Sequence, residues 1–313
     1  MAYNEPMRKA LMIGSTVADI LIRVDHLPSL EEDVNPLGQT ISLGGCCYNV
    51  SHMLELTHVP YTLFSPVGNG IYGTFVRNAL AGQGIEPLLS SNEDNGCCYC
   101  IVDKDGNRTF LAVHGAEYRF EPEWFDAIDS DAYTDVYVCG LEIEEPTGVH
   151  IVRFLKNQSH MNIFFAPSAR IMHIQKDRME TIMDCHPIVH VNRREAEWYL
   201  QDREMMKKTD KAELSALAEK LFQRTGNTAI VTDGKNGAAA FDGIRCCYEP
   251  AYELEAVDGT GAGDSHIGTI MSCLMRGKDL EYAMKWANRI AAGVVSVTGA
   301  VLSREKYEDI LKK

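Results

Sequence analysis

Short apolar runs punctuate the chain at Ala10–Gly14 (ALMIG), Thr62–Val67 (TLFSPV), Val136–Gly140 (VYVCG), Ile163–Ala166 (IFFA), Ile188–Asn192 (IVHVN) and Thr228–Thr232 (TAIVT). Each is too short for a helix and ends in turn-forming residues, which predicts buried strands. Helix-length segments such as Lys211–Gln223 and Leu280–Val297 lie between them. This alternation predicts βα units, and hence an α/β protein with a mostly parallel sheet covered by helices. Two stretches break the rhythm. Leu21–Leu43 carries two prolines among mixed polar residues, and Cys97–Val113 alternates around Asp105-Gly106, a hairpin turn signal. Both are expected to supply strands of a small sheet standing off the main one as a lid, roughly residues 20–43 and 96–115. No low-complexity linker or repeat of fixed period divides the chain, so residues 1–313 are expected to form one domain.

Composition narrows the class. The 313 residues are 45% hydrophobic and 24% charged, ordinary values for a globular protein. A net charge of −14 argues against a large electrostatic footprint for nucleic acid or an anionic membrane. The apolar run near the N-terminus is too short for a signal-peptide core, and no stretch approaches the roughly 18 apolar residues of a membrane span. Six of the ten cysteines stand in adjacent pairs, Cys46-Cys47, Cys97-Cys98 and Cys246-Cys247, which rarely bridge to each other. A reduced, cytoplasmic setting is the expectation.

The chemistry is most legible in Val257–Arg276, VDGTGAGDSHIGTIMSCLMR. Gly259, Gly261 and Gly263 precede a helical stripe of Ile267, Ile270, Met271 and Leu274. Small residues let backbone N–H groups approach a ligand, and a helix N-terminus carries roughly +0.5 charge, so this turn predicts an anion hole. Asp264 would repel an anion there unless it has a task, and accepting the proton of an attacking hydroxyl is such a task. The plainer alternative is a Gly-rich turn with Asp264 as a helix cap.

These residues resemble the PfkB, or ribokinase-like, family of carbohydrate and nucleoside kinases. Its C-terminal signature appears as Asp258-Gly259-Thr260-Gly261-Ala262-Gly263-Asp264, and its N-terminal signature as Gly44-Gly45 followed by Asn49. The resemblance implies a three-layer α/β/α fold with a β lid. It also implies an ATP-dependent kinase acting on a hydroxymethyl group of a sugar or sugar-like molecule, with Asp264 as base and Gly261, Ala262 and Gly263 as the anion hole. Asp19, Gly44, Gly45 and Asn49 would hold the acceptor. Asn192, Thr232, Gly234, Gly237 and Asn288 would meet ATP, and Glu195 would approach Mg²⁺ through water. Asp258 and Thr260, with the Val297–Ser303 turn, resemble a loop that binds a monovalent cation such as K⁺. Relatives often form homodimers through the lid, and the same is expected here.

Three departures stand out. Gly70 replaces an aspartate of the family's Gly-x-Asp-x-x-Gly, His266 replaces an aromatic residue, and Cys46-Cys47 replace the Lys-Gly of ribokinases proper, which argues against ribose itself. A ribonucleoside or pseudouridine kinase is the alternative, with Tyr48 and Tyr99 either as contacts to a base or, equally, as packing for the lid. A non-catalytic ligand-binding protein on the same scaffold is the alternative of another class, prompted by Gly70 and His266.

Several motifs invite other chemistry. Gly68-Asn69-Gly70-Ile71-Tyr72-Gly73, with Glu93 beyond it, satisfies the letter of a dinucleotide fingerprint, but the family pattern accounts for two of its glycines. Cys97-Cys98-Tyr99-Cys100 has no partner pair at zinc spacing, so structural thiols are expected. His52, His58, His114 and His266 form no metal spacing. Of these, His114 and His266 lie nearest the expected lid and catalytic turn. The acidic runs Glu31-Glu32-Asp33 and Glu142–Glu145 read as solvated faces, with a role near the cleft mouth as the alternative for Glu142 and Glu144, which follow a predicted strand, and Met271 and Met275 read as core packing.

Overall fold

The computed structural model describes residues 8–201 and 211–312. In chain order its strands are β1 (Ala10–Ile13), β2 (Val17–Arg23), β3 (Gly38–Gly44), β4 (Tyr61–Phe64), β5 (Pro66–Asn69), β6 (Leu89–Asp94), β7 (Cys97–Val102), β8 (Arg108–Val113), β9 (Asp135–Cys139), β10 (Asn162–Ala166), β11 (Ile188–Asn192), β12 (Ala229–Thr232), β13 (Ala238–Phe241) and β14 (Cys246–Glu249). An eight-stranded sheet has the order β14-β13-β12-β11-β10-β9-β1-β4. Its strands pair in parallel from β4 through β12, and β13 and β14 close one edge as an antiparallel hairpin.

Because successive side chains on a strand point to opposite faces, a strand with no polar position must be covered twice. On β9, Val136 and Val138 join the core beneath the helices Gly148–Lys156, Lys176–Met183 and Lys211–Thr225, whereas Tyr137 and Cys139 join the core beneath Cys46–Leu56, Ala262–Met275 and Leu280–Val295. The three-layer α/β/α architecture follows. The expected strand Thr62–Val67 is broken in two. Pro66 has no N–H to extend a ladder, and the chain leaves the sheet there: β4 ends as an edge strand of the large sheet while β5 pairs with β6.

The lid is a four-stranded sheet in the order β3-β2-β7-β8. Its first part is shorter than expected, because the proline-bearing connection 24–37 is not strand. Only Gly14–Thr16 separate β1 from β2, so the lid grows directly out of the core sheet and its root lies over the C-terminal end of β1. That is the end at which open α/β sheets bind ligands. Among the described residues no helix is long and apolar enough to cross a membrane.

Candidate active site

Asp264 stands in the first turn of the helix Ala262–Met275, where the N–H groups have no carbonyl partners in their own helix. The turn before it depends on Gly261. Its φ is +75°, and a Cβ there would lie 2.0 Å from the carbonyl oxygen of Ala300. No side chain fits, so the chain can enter the helix at this angle only through glycine. Gly263, beside it, is open to the cleft. Asp264 Oδ2 accepts a hydrogen bond of 2.8 Å from Asn49 Nδ2, which joins the two signature motifs in space. Burial pushes the Asp264 carboxyl up to about 6, against the opposing hydrogen bonds from Asn49 and Cys46.

The expected acceptor residues lie on β2, at the end of β3 and at the start of the helix Cys46–Leu56. Asp19 on β2 pairs with Ser42 across the lid, and its carboxylate occupies the space a Gly44 side chain would need: a Cβ there would be 1.8 Å from Asp19 Oδ2. Gly45 forms the N-cap of the helix that carries Asn49. Burial, reinforced by the charges of Asp264 and Asp258, raises Asp19 to about 7.

A residue of the expected solvated run belongs here. Glu142 is fully buried, its Oε1 accepts from the Ser15 backbone N–H at 2.8 Å, and burial lifts its carboxyl to about 7. The prediction that 142–145 form a solvated face therefore fails at Glu142, because the short helix Gly140–Glu144 turns this side chain inward at the end of β9. Glu142 Oε2 and Asn49 Oδ1 are both buried without a hydrogen-bond partner among the described residues, although buried polar groups are normally paired. Nearby, a hydrogen bond to Cys139, together with burial, keeps the Cys46 thiol well above its usual pKa, so it lines the site as a neutral group.

The expected nucleotide residues gather on the other side of the Asp264 turn. Thr232, Gly234, Gly237 and Asn288 line a groove of about 310 Å³ together with Ala262 and Gly263. Asn288 does not offer its amide to this groove. Its Nδ2 donates to the carbonyls of Glu249 and Pro250 at 2.8 and 2.9 Å, which leaves Oδ1 as an acceptor for His266 Nε2–H at 2.9 Å. His266 Nδ1 must then accept from His190 Nε2–H, also at 2.9 Å. Burial lowers His266 to about 4, so the ring is neutral and its tautomer is set by these partners. His266 thus serves as a buried hydrogen-bonding spacer.

Asn192 and Glu195 lie outside the residues lining that groove and form a capping box. Glu195 Oε2 accepts from the Asn192 N–H at 2.9 Å, and Asn192 Oδ1 from the Glu195 N–H at 2.9 Å. Burial raises Glu195 to about 7. Both carboxylate oxygens are engaged with Asn192 but keep free lone pairs, which fits contact with a hydrated Mg²⁺ better than direct ligation. Among the described residues no cluster of three or more His, Cys, Asp or Glu side chains could hold a metal ion by itself.

Asp258 and Thr260 meet an unexpected partner, Arg108 of the lid, which hydrogen-bonds both side chains. Tyr48 and Tyr99 are not in the cleft. Tyr48 is buried against Gln83, and Tyr99 hydrogen-bonds Tyr72 at 2.7 Å behind the lid. The Gly68–Gly73 motif packs backbone against backbone, since a Cβ on Gly73 would lie 2.1 Å from the Gly68 carbonyl. The carboxylate missing at Gly70 is offered by Asp94 on β6, whose Oδ1 lies 3.0 Å from where a Gly70 Cβ would be.

The chain matches the pfkB family of carbohydrate kinases over residues 7–306. It is 28% identical over 305 residues to YegV, an uncharacterized sugar kinase of Escherichia coli (strain K12), covering 97% of this chain and 94% of that one. It is 26% identical over 314 residues to the ribokinase of Bacillus subtilis (strain 168), covering 97% and 100%. The structure of a ribokinase from Cryptococcus neoformans var. grubii in complex with ADP superimposes with a TM-score of 0.81 at 21% identity, covering 98% of this chain and 99% of that one.

Proposed function

Since this chain belongs to the pfkB family of carbohydrate kinases, we propose that it transfers the γ-phosphoryl group of ATP to a hydroxymethyl group of a sugar or sugar-like molecule. The contact between Asn49 and Asp264 carries the proposal, because it puts a carboxylate with a pKa near 6 between an acceptor pocket and a helix N-terminus. Asp264 accepts the hydroxyl proton as the oxygen attacks. N–H groups at Gly261, Ala262 and Gly263 meet the charge on the transferred phosphoryl, where a loose transition state needs donors. Mg²⁺ bound with ATP would neutralise phosphate charge, and Glu195 and Asn192 would hold it through water.

Asp19, Glu142 and Asn49 hold acceptor hydroxyls. Asn49 Oδ1 and Glu142 Oε2 lack partners among the described residues, and sugar hydroxyls are donors of the right kind. Cys98 and Ala112, in register with Asp19 across the lid, add a small apolar wall that suits a sugar carbon face. With Tyr48 and Tyr99 outside the cleft, the aromatic support for a nucleoside acceptor is gone, and a sugar is the favoured class. A panel of aldoses, ketoses, sugar acids and nucleosides with ATP, followed as ADP release, tests this. Turnover on nucleosides alone would overturn the choice of sugar, and no turnover on any acceptor would overturn the catalytic proposal.

A further inference from the structure

Asp258 sits at the mouth of the anion hole with its side chain 10% exposed. A carboxylate there repels an incoming phosphate unless a positive charge offsets it, and the resemblance to relatives implies K⁺ for that task. The residues do not fit a bound cation. Asp258 Oδ1 accepts from the Thr260 N–H at 2.9 Å and from Arg108 Nη1, while Oδ2 accepts from the Gly299 N–H at 3.1 Å. Arg108 Nη1 also donates to Thr260 Oγ1 at 3.1 Å, and its Nη2 lies 2.6 Å from where a Gly259 Cβ would be, so the guanidinium covers the turn. Burial would raise the Asp258 carboxyl, but these hydrogen bonds and the Arg108 charge hold it below the usual range.

The second loop of the implied cation site is engaged from the lid as well. Arg23 shares a cross-sheet row with Val102 and Arg108, and its Nη2 donates to Thr298 Oγ1 at 3.0 Å. Two lid arginines therefore rest on the two loops that a monovalent cation would otherwise join.

We infer that Arg108 supplies, from the lid, the positive charge that a monovalent cation would bring to Asp258, so that this kinase works without potassium. The inference rests on the proposed phosphoryl transfer. It adds a consequence: the charge reaches the anion hole only when the lid lies over it. A guanidinium suits the task because it stays protonated at any working pH and offers several donors in one plane.

The test compares the wild type with Arg108→Ala and Arg108→Lys in tetramethylammonium chloride and in potassium chloride at equal ionic strength. It reads both the thermal midpoint of the ligand-free protein and ADP release with a working acceptor. The wild type is expected to give the same rate and midpoint in both salts. Arg108→Ala should lose at least about tenfold in rate in tetramethylammonium and recover several-fold in potassium, which should also raise its midpoint. Arg108→Lys should fall between them and ignore potassium. A wild-type rate or midpoint that rises with potassium would overturn the inference, as would Arg108→Ala turning over at the wild-type rate without it. The midpoints need no catalysis. If no acceptor supports turnover, the proposed function fails on its own, and a potassium response confined to Arg108→Ala still supports the charge replacement.

Discussion

The two sides of the Asp264 turn are finished to different degrees. On the nucleotide side, His190, His266, Asn288 and the carbonyls of Glu249 and Pro250 form a chain in which each donor has its acceptor. On the proposed acceptor side, Asp19, Glu142 and Asp264 are pushed to between about 6 and about 7 by burial, and Asn49 Oδ1 and Glu142 Oε2 have no partner among the described residues. One side is a completed wall that, in the proposed reading, would offer ATP small residues and backbone. The other lacks donors that a polyhydroxylated acceptor would bring. Buried polar groups left unpaired are costly, by roughly 1–3 kcal/mol each, so an acceptor that satisfies them gains both affinity and selectivity.

The sharpest way to break this contrast is to remove the proton acceptor. Asp264→Asn should reduce kcat by about 10³-fold while the affinity for ADP, measured by calorimetry, stays within about twofold. Comparable losses in both would mean that the turn collapses as a unit. Gly261→Ala should come next, with a loss of about 10²-fold in kcat, because the added Cβ meets the Ala300 carbonyl and moves the N–H donors away from the phosphoryl. Here a small change in thermal midpoint beside a large one in kcat separates displaced donors from general unfolding.

The raised carboxyls on the acceptor side make a prediction about pH. Asp19 is near 7 when folded against an ordinary value of 3.8, so the folded state binds more protons across that interval. The stability this group contributes is present below about pH 4 and is lost as pH rises through 7. Asp19→Asn, neutral throughout, should therefore become progressively more stable relative to the wild type between pH 5 and pH 8, as read from thermal midpoints. A gap that does not change with pH would contradict the buried position of this carboxylate. Activity should move the other way, with kcat/KM falling below about pH 6 as Asp264 takes up a proton. The smallest effect is expected on the finished side. His266→Phe leaves Asn288 Oδ1 without a donor and should raise the KM for ATP about fivefold with little change in kcat.

The succession of core elements along the chain was legible because β1, β9, β10, β11 and β12 are mostly apolar on both faces and separated by helical pattern, a signal that local sequence carries. The Asp264 turn was legible because three glycines before a helical stripe have few other uses. The residues that escaped are those whose role depends on a neighbour far along the chain. Glu142 reads first as part of the charged run Glu142–Glu145, with a place near the cleft mouth only as the alternative, and it is the packing of β9 beside β1 that brings it to Ser15. Arg108 lies in an exposed hairpin, and no spacing rule links it to Asp258, 150 residues away. Tyr48 and Tyr99 leave two readings open in the sequence, contact with a base or packing against the lid, because the phase of a helix and the face of a lid strand are set by what packs behind them. In this structure those partners are Gln83 and Tyr72.

The central claim is that a hydroxymethyl oxygen, bound among Asp19, Asn49 and Glu142, attacks phosphorus while Asp264 takes its proton. Phosphorus NMR of the product made from ATP and a working acceptor tests this most directly, because a phosphate on a CH₂O group couples to two protons. The account predicts that two-proton pattern for the wild-type product and no detectable signal from Asp264→Asn over the same period. A phosphate coupled to a single ring proton, or a product signal from Asp264→Asn growing at the wild-type rate, would contradict it.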